Sequence, residues 1–179
     1  VDFSFLPEIE EAQTVYYDGT GKPADPLKVL LDSGCNMVRM RIWHTQAGGL
    51  SYYPIWHGKD LGTVVSSISN LGKNNGKKVI IAETSYPFTF DWNDMTHNVI
   101  GLSEQILPQY SATPQGQKNF LLKIKSIMKN DANGLGFCYW GGEWVAYRGP
   151  EALDGSSWEN QALFDFNNKA LPVIGSFAE

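Results

Sequence analysis

The chain has 179 residues, 42% of them hydrophobic, and a formal net charge of −5. Its 14 Lys and Arg residues are scattered, which excludes the basic stripe that a nucleic-acid backbone requires. No apolar run approaches the roughly 20 residues needed to span a bilayer, so the chain reads as one domain, or a large part of one, with a real core.

Taken in order, "VDFSFL" (1–6) alternates and predicts a strand. "DPLKVLLDSG" (25–34) predicts a short helix with Asp25 as N-cap, Pro26 in the first turn and Gly34 as its stop. "NMVRMRIW" (36–43) predicts a strand with Val38, Met40 and Ile42 on one face and Arg39, Arg41 and Trp43 on the other. "LSYYP" (50–54) reads as the end of another strand. "DLGTVVSSISNLGKNNG" (60–76) predicts a helix that buries Leu61, Val64, Val65, Ile68 and Leu71 and stops at its Gly-containing end. "KKVIIAET" (77–84) is the apolar run of a strand covered on both sides. "TPQGQKNFLLKIKSIMKN" (113–130) predicts a helix capped by Thr113, with Pro114 first and Phe120, Leu121, Ile124 and Met128 inward. "GLGFCYW" (134–140) is a further strand. Cys35 and Cys138 read as buried thiols, although a single bridge between them stays open. The chain opens at Val1 without Met or a leader pattern, as expected of a mature or trimmed product.

Alternating strands and helices argue α/β with a parallel sheet. Parallel neighbours need a crossover of a dozen or more residues, yet only His44 to Gly49 separate Trp43 from Leu50. Either the chain skips across a sheet there, or something has been cut out.

Sites in such folds form beyond the C-terminal ends of strands. All six Trp residues (Trp43, Trp56, Trp92, Trp140, Trp144, Trp158) fall at or after such an end. Flat aromatic faces on one rim suit sugar stacking, while any single Trp could equally plug the barrel top. Glu83 closes an apolar strand and shares parity with Val79 and Ile81, so it is expected to point the same way. A carboxylate in that position needs a partner or a chemical role. It can pair with Arg39 or Arg41, serve as a nucleophile, or do both, since an Arg neighbour keeps it ionised. "FDWNDMTHN" (90–98) offers Asp91, Asn93, Asp94 and Asn98 as Ca²⁺ ligands, but lacks the EF-hand glycine and closing glutamate, and reads first as a solvated loop. Glu159 and Asp165, in "SSWENQALFDF", read as parts of a loop anchored by its own polar network.

"DFSFLPEIE", "NMVRMRIW", "SYYPIWHG", "AETSYPFTFDW", "TPQGQKNFL", "YWGGEWV" and "WENQALFDFNNKALP" together resemble the family 53 glycoside hydrolases, along nearly the whole chain. The resemblance implies a TIM (β/α)₈ barrel and retaining endo-β-1,4-galactanase chemistry on the galactan of pectic arabinogalactan. It also implies secretion, because a plant-wall polymer does not enter a cell intact. On it, Glu83 matches the nucleophile on the seventh strand, and Arg41 with Arg39 matches the second-strand residues that steady it. Tyr53 matches the sixth strand, Trp140 matches the Trp that floors the sugar site, and Trp43 and Trp56 join them on the substrate side. No cofactor is implied, and a structural Ca²⁺ is left open.

The resemblance also explains the short gap. Strands three to five of the family fall between "RIW" and "SYYP", which sets a seam near residues 49–51 in a single, incomplete barrel domain over 1–179. The fourth strand of the family ends in an Asn-Glu pair whose Glu is the general acid/base, and no Asn-Glu dipeptide occurs in this sequence. A retaining glycosidase needs two carboxyl groups roughly 5–5.5 Å apart, and loss of acid/base help forfeits ~10²–10⁴-fold in rate. Glu143, on the loop after the last strand, is a poor substitute. Three expectations follow: a galactanase whose middle section is absent from this sequence, a galactan-binding remnant, or a fragment that completes its sheet by assembly.

Overall fold

The computed structural model describes residues 6–35 and 50–178. The strand expected over 1–6 is corrected at its last residue, because Leu6 opens helix α1 (Leu6–Glu11). Leu6 and Ile9, three apart and both buried, give that turn its inward face. The strand expected over 36–43, with Arg39, Arg41 and Trp43, lies outside the described residues.

Helix α2 (Pro26–Asp32) forms as its caps dictate: the Asp25 carboxylate accepts from Leu27 N at 2.7 Å and Lys28 N at 3.1 Å. Gly34, at φ +84°, lets the chain turn away afterwards. Strand β1 is confined to Leu50–Ser51. It is shorter than the expected 50–54 because Pro54, which has no N–H to give a sheet, starts the short helix α3 (Pro54–His57) instead.

Helix α4 (Leu61–Asn75) is capped by Asp60 at one end and by left-handed Gly76 at the other. It buries Val64, Ile68 and Gly72, while Val65 and Leu71, expected inward, stay exposed. At about 100° per residue those two fall just outside the edges of the 64/68/72 stripe. The stripe is narrow because the helix comes close at Gly72, where a Cβ would lie 2.3 Å from Asn133 Cβ.

Strand β2 (Val79–Thr84), helix α5 (Pro114–Asn130) and strand β3 (Gly134–Tyr139) complete the framework. The three strands form a parallel sheet in the order β1-β2-β3. Helix α4 lies in the crossover from β1 to β2, and α5 in that from β2 to β3, as parallel pairing demands. Thr113 caps α5 by accepting from Gly116 N at 3.0 Å. The expected inward residues Phe120, Leu121, Ile124 and Met128 are all buried, with Gln117 and Ile127 beside them.

One core cluster joins Ile81 of β2 to Val64 and Ile68 of α4 and to Phe120 and Ile124 of α5, with Leu50 and Tyr52 against it. A second gathers Leu6, Ile9 and Leu30 with Leu121, Tyr139 and Phe164. Cys35 and Cys138 are both buried, and no disulfide joins them. Among the described residues no helix is long and apolar enough to cross a membrane.

Candidate active site

Residues from Leu50 to Tyr53 alternate: Leu50 and Tyr52 pack with α4 and α5, so Ser51 and Tyr53 face the other way. Glu83 pairs with Ser51 in the parallel register. Its Oε2 lies 3.4 Å from Ser51 Oγ and 3.4 Å from Tyr53 OH, both hydroxyls donating. The carboxylate is therefore on the face opposite Ile81, which corrects the expected shared direction. The reason is local: β2 shifts register against β3 between Ile81 and Thr84, so the two-residue alternation does not carry through. The shift turns an end-of-strand carboxylate away from the helix layer and toward the aromatic cluster.

That cluster is built on Tyr53, Trp140 and Trp158, all buried, with Trp144 against them. Trp140 continues β3, its N–H donating to Thr84 O at 2.9 Å, which fixes it beside the end of β2. Trp56, on α3, meets the Tyr53 ring edge-on at 5.1 Å and stays 55% exposed, leaving an aromatic face open to a ligand. His57 Nδ1 accepts from Tyr53 N at 3.0 Å, and its ring stacks on Tyr53. Of the residues expected at the site, the structure thus brings together Glu83, Tyr53, Trp56 and Trp140. Arg39, Arg41 and Trp43 lie outside the described residues. Of the six rim Trp residues, Trp92 pairs instead with His97, ring centroids 4.5 Å apart, on the loop after β2.

Sequence reasoning missed Ser51, whose place opposite Glu83 is set by register alone. It also missed Ser85, two residues past Glu83, which accepts from Trp158 Nε1 at 3.2 Å and donates to Gln161 Oε1 at 2.7 Å. Behind these sits Gln117, fully buried on α5, its Nε2 within 3.1 Å of Tyr86 O, Tyr139 OH and Ala162 O.

The loop after β2 is less solvated than its composition implies. Asp94 is buried, its carboxylate accepting from Thr96 N at 2.7 Å and Ser156 N at 3.2 Å. Glu159 accepts from Asn93 N at 2.6 Å, and burial, with Asp94 adding charge nearby, pushes its carboxyl above the ordinary carboxylate range. Asp165 accepts from Asn167 N and Lys169 N. The polar network read for Glu159 and Asp165 is thus present and ties the loop after β2 to the one after β3. Of the oxygens that composition offers to Ca²⁺, those of Asp91 and Asp94 are engaged by Thr89, Thr96 and Ser156. Among the described residues no three acidic, His or Cys side chains converge on a metal site.

Comparison with known proteins gives the frame. The chain is 39% identical over 129 residues to the arabinogalactan endo-β-1,4-galactanase of Cellvibrio japonicus, covering 70% of this chain and 34% of that protein. It is 32% identical over 161 residues to the endo-β-1,4-galactanase of Bacillus subtilis, covering 71% and 37%. The chain thus spans about a third of the length of these curated relatives. Its fold matches that of a family 53 catalytic domain from Ignisphaera aggregans, with a TM-score of 0.87 at 19% identity over 99% of this chain and 94% of that one. A fungal β-1,4-galactanase structure matches with a TM-score of 0.72 at 13% identity, over 99% and 97%. The sheet and its helices are therefore part of a TIM (β/α)₈ barrel. The model of glycosyl hydrolase family 53 matches residues 1–48 and 46–177, and the chain belongs to that family.

Proposed function

We propose that this chain carries the nucleophile and the aromatic floor of a secreted, retaining endo-β-1,4-galactanase acting on the galactan of arabinogalactan. One observation carries the reading: the Glu83 carboxylate lies at the end of a parallel strand with two hydroxyl donors on one oxygen, one of them Tyr53, which packs with the indoles of Trp140 and Trp158. Two donors on one oxygen fix the direction in which the carboxylate faces, as an attacking group requires. In this reading Glu83 attacks the anomeric carbon, Ser51 and Tyr53 hold it aligned, and Arg39 and Arg41 steady its charge. Trp140 floors the sugar, with Trp43 and Trp56 extending the aromatic surface. The names and activities of the relatives support the substrate class, and the two stretches of family match that meet at 46–48 support a seam near 49–51. The general acid/base then belongs to a section absent from this sequence.

The test is release of dinitrophenol from a dinitrophenyl β-galactobioside, whose leaving group needs no proton donor, with Glu83→Gln as the control. The reading expects release that the substitution abolishes while leaving the unfolding transition in place. Release that survives the substitution sinks the assignment. A second reading, a galactan-binding remnant without turnover, is favoured by the absence of any Asn-Glu dipeptide. Its mark is calorimetric binding of galactan with no product after long incubation.

A further inference from the structure

The geometry points to Trp158 as a positioning residue for Glu83, acting through the ring of Tyr53; this rests on the galactanase reading. Among the described residues, three rings lie against that of Tyr53. Two of them, Trp56 and His57, sit on α3, the same turn that Tyr53 caps, and therefore move with it. Trp158 is different. It comes from the loop after β3, is buried, and meets Tyr53 edge-on at 5.9 Å with the planes at 89°. Its other edge is tied to the strand that carries the nucleophile, because its indole N–H donates to Ser85 Oγ. Ser85 is in turn held by Gln161, whose backbone oxygen accepts from the buried Tyr139 hydroxyl at 2.8 Å.

Trp158 is thus a wedge with one edge fixed to the extension of β2 and the other against the residue that orients the β2 carboxylate. Room for it is built into the backbone. Gly141, at φ +65°, sits where a Cβ would be 2.8 Å from Trp158 Cδ1, so the turn after Trp140 stays open for the indole. An edge-to-face contact of this kind fixes ring orientation as well as burying area. Small errors in the placement of a reacting group are expensive in rate. Without the wedge, Tyr53 loses its ring contact with the loop after β3, and its hydroxyl is held less firmly against the carboxylate.

The experiment is a double-mutant cycle on Trp158→Phe and Tyr53→Phe, read in the first turnover as the maximal rate of dinitrophenol release from a dinitrophenyl β-galactobioside and the substrate concentration that half-saturates it. That leaving group departs without a proton donor as Glu83 attacks, so the first turnover reads the nucleophile, while the later attack of water on the glycosyl-enzyme, which needs the general base, is not read. Trp158→Phe is expected to lower that maximal rate roughly tenfold with half-saturation little changed, and to add almost nothing once Tyr53 is Phe. A purely structural role gives the same loss in both backgrounds, and that additivity overturns the proposal. Ser85→Ala, which frees the indole N–H without opening a cavity at the ring, is expected to give the same non-additive pattern at smaller size. It decides the matter if Trp158→Phe fails to fold. A parent chain that never releases dinitrophenol defeats the galactanase reading, and this role with it. A parent that releases it while the cycle is additive defeats this role alone.

Discussion

Tyr53 and Glu83 stand 30 residues apart in the chain, yet the tyrosine hydroxyl lies 3.4 Å from Glu83 Oε2. Two independent features produce the meeting. Pro54 ends β1 early and turns Tyr53 into the N-cap of α3, and the register shift in β2 swings Glu83 to the same face. Neither feature alone brings the two together.

Removing the hydroxyl should therefore be felt in the reaction more than in the fold. Tyr53→Phe keeps the ring in its aromatic cluster and deletes only the donor to the carboxylate. At 3.4 Å the contact is long for a hydrogen bond, and such contacts tighten as substrate binds. We expect the first-turnover rate on a dinitrophenyl β-galactobioside to fall about tenfold with half-saturation nearly unchanged, in line with one hydrogen bond to a charged group. A change confined to half-saturation would show that Tyr53 contacts the sugar instead.

Gln117 gives a prediction about stability. Its Nε2 is the shared donor for two backbone oxygens, of Tyr86 and Ala162, and for the Tyr139 hydroxyl, all in the interior. Gln117→Leu keeps the volume and strips the donors, leaving acceptors on three segments with less to bind. Loss of a buried partner costs about 1–3 kcal/mol per stranded group, so we expect a destabilisation of about 2–4 kcal/mol. Urea unfolding measures it, as a lower midpoint with an unchanged slope. A shift below about half a kcal/mol, less than one net hydrogen bond, would mean that water takes over the donor role.

What the sequence made legible was local chemistry. Asp25-Pro26, Thr113-Pro114 and the stop at Gly76 are caps that act within one turn, and each forms as its residues dictate. Glu83 was legible as a carboxylate at a strand end. Its direction was not, because alternation is a rule for regular strands and β2 slips between Ile81 and Thr84. Val65 and Leu71 misled for a related reason: a helical face has a width that periodicity leaves unset, and here a close approach at Gly72 narrows it. Ser85, Gln117 and Trp158 act through partners 73, 45 and 73 residues distant, and although Trp158 stood out as one of the strand-end Trp residues, nothing in a local window marks the contacts any of the three makes. Asp94 looked solvated because its loop is polar, yet the backbone of Thr96 and Ser156 folds around it.

Gly72 tests the narrow contact directly. A methyl group there would lie 2.3 Å from Asn133 Cβ and 2.4 Å from Cγ, too close for either atom to give way by rotation alone. Helix propensity favours Ala over Gly by up to about 1 kcal/mol. Overpacking costs about 1–3 kcal/mol and should win. Gly72→Ala is thus expected to lower the thermal midpoint, against the propensity scale. A raised midpoint would show that α4 can move off the loop before β3 at no cost.

The link between Ser69 on α4 and Asp131 in that same loop carries a pH signature. The Ser69 hydroxyl donates to the Asp131 carboxylate, and the Asn133 N–H donates to its other oxygen at 2.7 Å. These bonds, Ser69's first, favour the ionised form and hold the carboxyl below its ordinary range. A carboxyl with a lowered folded pKa stabilises the fold at pH above its unfolded value, and loses that contribution as pH falls through the folded one. Ser69→Ala removes the leading cause, so the parent should melt higher than the variant at pH 7. The difference should hold down to about pH 5 and shrink below about pH 4, where the unfolded carboxyl takes up its proton. Thermal melts of both proteins from pH 7 to pH 3 measure it. A difference that persists unchanged at pH 3 would mean that Ser69 acts by packing and that its bond to the charge contributes nothing.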